Sequence, residues 1–451
     1  MTAADTSYMK EKPVLSLLLS MGIPMMLSML INSLYNIVDG IFVARMSEDA
    51  MMAISLVYPV QNLLHSIAVG FGVGTNAVIA IFLGSRKGDA ASSAASQGIL
   101  LNLCHGLLFM VFGILFMRPF LDMFTSNETV IAYGMQYGII VLCFSMIHTT
   151  ELSFEKIFQS VGRMKTSMIS LGSSCMINII LDPLLIFGIG PFPALGVAGA
   201  AVATVIAQGV SVVLCILYIM TRVRILIPGR KHLDVGRKLY WDLFSQSISM
   251  GLMSSIVSAG SVILQYGING LGTLTIAGHT AARKLFAFTD MPLIAMANAA
   301  STFVSQNYGA GQPERIRKGM REIYLYSLVV MVVTVLLMQV SAEWLVRMVS
   351  GSSEALVLEN GARYLRWTSP FYAVLGVLLS TRYALQSLGE KVLPLFSSVI
   401  EFLGKVVFVL VFIPRFAYNA VILCEPVIWC FMALYLVAVY RCNPFVFPKK
   451  Q

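Results

Sequence analysis

Long apolar runs separated by short polar breaks dominate the sequence from Val14 to Arg441. Crossing a hydrocarbon layer of about 30 Å takes about 20 apolar residues in a helix. On that measure the runs predict twelve helices, at 14–43, 50–83, 92–117, 129–158, 166–188, 194–221, 242–270, 275–307, 322–342, 356–388, 392–414 and 420–440. The first run, Leu15–Val43, is apolar except for one stripe. Asn32, Tyr35, Asn36 and Asp39 share a helical face, and Met25 and Met29 continue it toward the N-terminal end. The asparagines read equally well as a hydrogen-bonded seam between helices. Asp39 is different, because a carboxylate at membrane depth costs a few kcal/mol or more and marks a functional position.

Composition turns this pattern into a class. With 57% hydrophobic and 12% charged residues, the chain reads as an all-α integral membrane protein. Its polar start, MTAADTSYMKEKP, is followed by an apolar run without a small-residue cleavage site. Residues 1–13 are therefore expected to form a cytoplasmic tail, with the first helix retained. A net charge of +9 would suggest a nucleic-acid partner in a soluble protein. With the N-terminus inside, however, only Arg45, Arg118, Arg347 and Arg415 fall in loops on the far side. That asymmetry predicts a multi-pass protein of the cell membrane with both termini cytoplasmic, the lipid bilayer as its surroundings and no nucleic acid as partner. The seven cysteines are scattered and show no CxxC spacing, so neither disulfide nor zinc is implied.

The chain also repeats itself. Gln159-Ser160-Val161-Gly162 is echoed by Gln386-Ser387-Leu388-Gly389, and Gly84 after the second helix by Gly309 after the eighth. The offset is about 226 residues, half the chain. Two parallel six-helix lobes around a central cavity follow, related by an axis along the membrane normal. The expected division is an N-lobe at 1–221, a cytoplasmic linker at 222–241 and a C-lobe at 242–451. The counterparts of Asp39 and Asp182 fall near Leu264–Gln265 and Val409, where no acid stands. Ion chemistry is accordingly expected in the first lobe.

On the fifth helix Ser174, Asn178 and Asp182 recur every four residues. Pro183 cannot donate to the Ile179 carbonyl, so a kink with free oxygen ligands is expected there, suited to a proton with water or to Na⁺. Thr204, on a sixth helix rich in Gly and Ala, either completes this site or bonds its own helix. Gly70, Gly72 and Gly74 lie in an apolar run without strand or Lys, which favours a loosened helix or close packing over a phosphate loop. Glu151 and Glu155 read as a solvated helix end matched by Lys156, Arg163 or Lys165, with cation recruitment as the alternative. Glu401 and Lys405 read as a self-neutralising i,i+4 pair. Arg283, Lys284 and Asp290 on the eighth helix need partners or water. No catalytic triad, HExxH or Walker pattern has its context, so the chain is not read as an enzyme.

These residues resemble the multidrug and toxic compound extrusion (MATE) family, most closely its DinF- and MepA-like branch. The resemblance is carried by Leu34–Asp39, Gly70–Asn76 with Gly84, Gln159–Lys165, Asn178–Gly188, Gly196–Thr204 and Phe303–Gly311. It implies a secondary antiporter exporting diverse cationic or amphipathic drugs and metabolites, driven by H⁺ or Na⁺, without a cofactor and as a monomer. It further implies a first-lobe ion-coupling site at Asp39, Asp182, Asn178, Thr204, Tyr35 and Tyr137, with Na⁺ as a possible ligand of Asp39, Asn178, Asp182 and Thr204. Met25, Met29, Asn32 and Asn36 are expected to face substrate. The NorM-like branch also uses acids on helices seven and ten, but Val257–Ser258 and Leu375–Gly376 supply none here. A lipid-linked oligosaccharide flippase of the same superfamily is the alternative.

Overall fold

A computed structural model describes residues 12–223, 232 and 236–448. The expected tail at 1–13 and linker at 222–241 lie largely outside the described residues. Among the described residues the regular structure is entirely helical. This is the expected outcome in lipid, where every backbone N–H and C=O must be satisfied within its own segment.

Nine helices are long and apolar enough to cross a membrane, or ten when the bent pair Glu128–Cys143 and Ser145–Ser160 counts as one, among the described residues. Two more spans complete the set of twelve. Thr273–Thr289 with Met291–Gly309 forms the eighth, and Ala355–Thr368 with Tyr372–Ser387 forms the tenth. These two are less apolar because they carry Arg283, Lys284 and Asp290, and Arg363 and Arg366. The remaining spans are Val14–Ala44, Glu48–Gly84, Gly88–Asp122, Met164–Phe187, Val197–Arg222, Arg237–Asn269, Pro313–Ser350, Leu393–Phe416 and Tyr418–Arg441. All twelve expected helices are present. What the apolar pattern did not reveal is that spans four, eight and ten are broken. The fourth bends by 50° at Phe144, and the tenth passes through a 3₁₀ turn at Ser369–Phe371, 227 residues further on.

Local chemistry explains the boundaries. Ser47 accepts from the Ala50 N–H at 3.0 Å, with Glu48 and Asp49 in the first turn of the second span. Asn127 caps the fourth span in the same way, accepting from Thr129 and Val130. The repeat is visible in the caps themselves. After Ser160, Gly162 N–H donates to the Gln159 carbonyl and Arg163 N–H to that of Phe158; after Ser387, Gly389 donates to Gln386 and Glu390 to Leu385. Gly162 and Gly389 both take the left-handed conformation, at φ of 74° and 88°, which explains why glycine stands at both positions.

The helices form two compact units. Among described residues the first holds 27–251 and the second holds 12–26 and 252–448. The first and seventh spans are thus each divided between units, and the division points, after Met26 and after Gly251, are again a repeat length apart. Within the first unit the glycine run is a packing device, as expected. A Cβ on Gly72 would lie 2.6 Å from Lys156 Cγ, and one on Gly74 would lie 3.0 Å from the Ser247 nitrogen. Gly199 brings the fifth and sixth spans together, because any side chain there would strike the Leu185 carbonyl oxygen. Gly199→Val should therefore force the two spans apart and cost about 1–3 kcal/mol. The check is the melting temperature of the purified protein, and an unchanged value would refute this packing.

Candidate functional site

The first unit has two apolar cores. One is built around Val57, Phe109, Tyr137, Ile186 and Ala200, and the other around Ile79, Phe154, Phe158, Cys215 and Leu243. The helix contact that brings the fifth and sixth spans together at Gly199 also sets the polar side chains one turn further along opposite each other. Asp182 and Asn178 from the fifth span meet Thr204 from the sixth, and Tyr35 and Asp39 enter from the first.

The hydrogen bonds are specific. Asn178 Nδ2 donates to Asp182 Oδ1 at 3.2 Å and lies 3.3 Å from Thr204 Oγ1. The Thr204 hydroxyl donates to the Ala200 carbonyl at 3.0 Å, so its oxygen is left to accept. Tyr35 Oη, 3.3 Å away, is placed to donate to it. Thr204 thus does both of the things open to it, bonding its own helix and completing the cluster. Asp182, Asn178 and Thr204 are buried, while Asp39 and Tyr35 are half-buried. The carboxyl groups of Asp39 and Asp182 are close enough to act on each other directly.

Asp39 Oδ1, Asp182 Oδ2 and Asn178 Oδ1 are buried and have no donor. Three orphaned acceptors in one cluster are costly unless something positive joins them. One proton between the acids satisfies two of them. A desolvated Na⁺ also fits the chemistry, since every available ligand is an oxygen. No group of three or more His, Cys, Asp or Glu suited to a metal ion occurs among the described residues.

Other expected residues stand apart from the cluster. Tyr137 is buried within electrostatic reach of both acids, but its hydroxyl accepts from Gln61 Nε2 at 3.3 Å. Asn36 Nδ2 donates to the Asn32 carbonyl at 2.8 Å and to its side-chain oxygen at 3.0 Å, so these two satisfy each other within their helix. Met25 is buried and Met29 half-buried. Asp39 and Asp182 are the pair that the sequence reading placed together.

One expectation needs correction. Glu155 does match Lys156, at 2.9 Å, but their side chains are only 23% and 8% exposed, so this is no solvated helix end. Gln159 joins the pair, and Glu151 leaves Oε1 buried without a partner. The desolvation cost of burying the two charges is offset by their close attraction and by the bonds of Gln159 to both. Sequence reasoning missed a further acid of the second unit. Glu425 meets Arg283 at 2.6 Å, and Tyr364 donates to the same carboxylate oxygen at 2.8 Å. A signal existed, since Glu425-Pro426 in an apolar run repeats the Asp182-Pro183 pattern, but Glu425 has no acidic counterpart in the first half. Sequence reasoning also missed His65 and His148, whose Nδ1 and Nε2 lie 3.2 Å apart, with Gln208 3.1 Å beyond.

The MatE family profile matches residues 24–184 and again 250–411, two stretches that begin 226 residues apart. A FAD transporter of Shewanella oneidensis is 26% identical over 322 residues, covering 70% of each chain. A probable multidrug resistance protein of Bacillus subtilis, YoeA, is 24% identical over 95% of this chain and 93% of its own. Among solved structures, a MATE-family multidrug transporter in an outward-facing conformation superimposes with a TM-score of 0.88 over the whole of both chains, at 20% identity.

Asn178 is the donor on which the fifth-span end of the cluster relies. Asn178→Ala should lower stability by about 1–3 kcal/mol through the acceptors it leaves unpaired. Thermal unfolding of the purified variant checks this, and a wild-type melting curve would contradict it.

Proposed function

The chain belongs to the MatE family of membrane transporters, and from that premise we propose that it is an antiporter that exports cationic or amphipathic small molecules in exchange for H⁺, or Na⁺, bound at Asp39 and Asp182. The observation that carries this reading is the pair of mutually close carboxylates with orphaned oxygens on two different helices. Such a pair is a site for one exchangeable positive charge.

The residues divide the work as follows. Asp39 and Asp182 hold the ion. Asn178 fixes one Asp182 oxygen and ties it to Thr204, so the fifth and sixth spans respond as a unit. Tyr35 links Thr204 to the first span, one turn from Asp39. Occupation and release of the ion therefore change the bonds that hold the first span against the fifth and sixth. Pro24 in the first span leaves it a backbone bond short, a point at which it can bend. Each unit charge returning across 100 mV supplies about 2.3 kcal/mol, enough to bias such a cycle substantially. A cationic substrate competes with the ion for the same negative charge, which makes the exchange obligatory.

The N-lobe, 1–221, is the ion-coupling lobe in this scheme, the C-lobe is 242–451, and the protein works as a monomer in the cell membrane with both termini cytoplasmic. The multidrug names of YoeA in Bacillus subtilis and of MepA in Staphylococcus aureus support drug-like substrates. The name of the FAD transporter in Shewanella oneidensis favours a second reading, export of an anionic flavin nucleotide.

Asp39→Asn and Asp182→Asn should each insert and fold while losing gradient-driven export by about 100-fold or more, the order expected when an interaction essential to the driven step is removed. Proteoliposomes given a pH gradient or a Na⁺ gradient separately, with a fluorescent cationic dye as cargo, make the measurement. Undiminished export by either variant would overturn the coupling assignment, and export driven by neither gradient in the wild type would overturn antiport.

A further inference from the structure

The second unit contains a cavity of about 180 Å³ at the Arg283–Glu425 pair, lined also by Tyr364, Ser261, Gln265 and Thr280. Its position follows from the repeat. Gln265 is the residue that corresponds to Asp39. Tyr364 lies 227 residues after Tyr137, the same offset that relates Gln159 to Gln386 and Gly162 to Gly389. Glu425 is the eighth residue of its helix, Tyr418–Arg441, as Thr204 is of Val197–Arg222. The cavity is thus the second unit's copy of the first-unit cluster, with the acid moved from the first and fifth helices to the last.

What differs is the positive charge. In the first unit three acceptor oxygens have no donor. In the second, Arg283 Nη1 donates to Glu425 Oε2 at 2.6 Å and to Tyr364 Oη at 3.0 Å, and Tyr364 donates to the same carboxylate oxygen. The guanidinium also lies over the Phe286 ring, 4.8 Å from its centre, which holds it in place. Its counterpart on the second span is Tyr58, so the cation has no copy in the first unit. Lys405, the other cation within reach of Glu425, donates to Glu401 at 2.8 Å and to Ser261 Oγ at 3.2 Å. His279 makes its ring contact with Tyr418, and Asp290 is the second acid within reach of Arg283.

We propose that Arg283 is the tethered cation of a second carboxylate site, occupying at Glu425 the place where a mobile monovalent cation would otherwise bind. The oxygens of Glu425, Tyr364, Gln265 and Thr280, which line the cavity, form a set suited to Na⁺. A guanidinium remains protonated under all working conditions and cannot leave, so this site exchanges nothing. Only the first unit then contributes an ion per cycle. That consequence rests on the assignment of the first-unit cluster as the ion site, whereas the latent site at Glu425 does not.

The test uses the full-length protein with the first-unit cluster silenced by Asp39→Asn and Asp182→Asn. In that background Arg283→Gln should acquire a melting temperature that rises by several degrees when NaCl replaces choline chloride. Adding Glu425→Gln should abolish the response, corresponding to a loss of Na⁺ affinity of about tenfold or more. Arg283→Lys, which keeps the charge, should show no response. A melting temperature of Arg283→Gln that is indifferent to Na⁺, or a response that survives Glu425→Gln, overturns the proposal. If Arg283→Gln folds in neither salt, recovery of folding by the added Glu425→Gln supports the counter-cation role, and failure to recover overturns it.

Discussion

Two carboxylates held side by side within a bundle of apolar helices repel each other unless a positive charge stands between them. Asp39 and Asp182 are in that position, and the surrounding structure makes it tolerable. Asn178 donates to one Asp182 oxygen, and Thr204 is turned by the Ala200 carbonyl so that its lone pairs receive Asn178 and Tyr35. The close approach of the fifth and sixth spans at Gly199 sets the register on which these bonds depend. Packing therefore delivers the acids to one point, and the electrostatics of that point demand a guest.

The second half of the chain solves the same problem differently. Its only cluster of acid, tyrosine and cavity at the corresponding position comes, among the described residues, with a built-in guanidinium. Duplication preserved backbone devices closely, down to the left-handed glycines at 162 and 389 and the breaks near Phe144 and Ser369–Phe371. It did not preserve charge. In the proposed scheme, a fold doubled for symmetry and then charged asymmetrically exchanges an ion on one side and is neutral in itself on the other.

Much of this was legible in the sequence. Twelve apolar runs gave twelve spans, because hydrocarbon thickness and the 1.5 Å helical rise leave little freedom. Asp39 and Asp182 stood out for the same reason, as carboxylates where few are tolerated. The break in span four was not legible, since apolar periodicity continues through a bend and Phe144 signals nothing locally, whereas Pro292 and Pro370 stand at the breaks of spans eight and ten and are local signals that the apolar pattern alone passes over. Arg283 could be seen but not paired, because its partner lies 142 residues away on the last helix. Glu155 and Lys156 were read as surface charges; spacing along one helix cannot tell a solvated pair from a buried one. Asn32 and Asn36 share the face of Asp39, yet their mutual bond takes them out of the cluster.

The central claim is that Asp39 and Asp182 together hold one exchangeable positive charge, and vibrational spectroscopy reads this most directly. Infrared difference spectra of the purified protein, recorded as the pH is raised, as NaCl replaces choline chloride and as a cationic dye is added, report a carboxylic acid losing its proton or a carboxylate losing its bound ion. The expected result is a protonated-carboxyl band lost on raising the pH and on adding dye, or, with Na⁺ as the guest, a Na⁺-dependent carboxylate band that the dye removes, with neither signal in Asp39→Asn or Asp182→Asn. The same difference spectrum in the wild type and in both variants would contradict it.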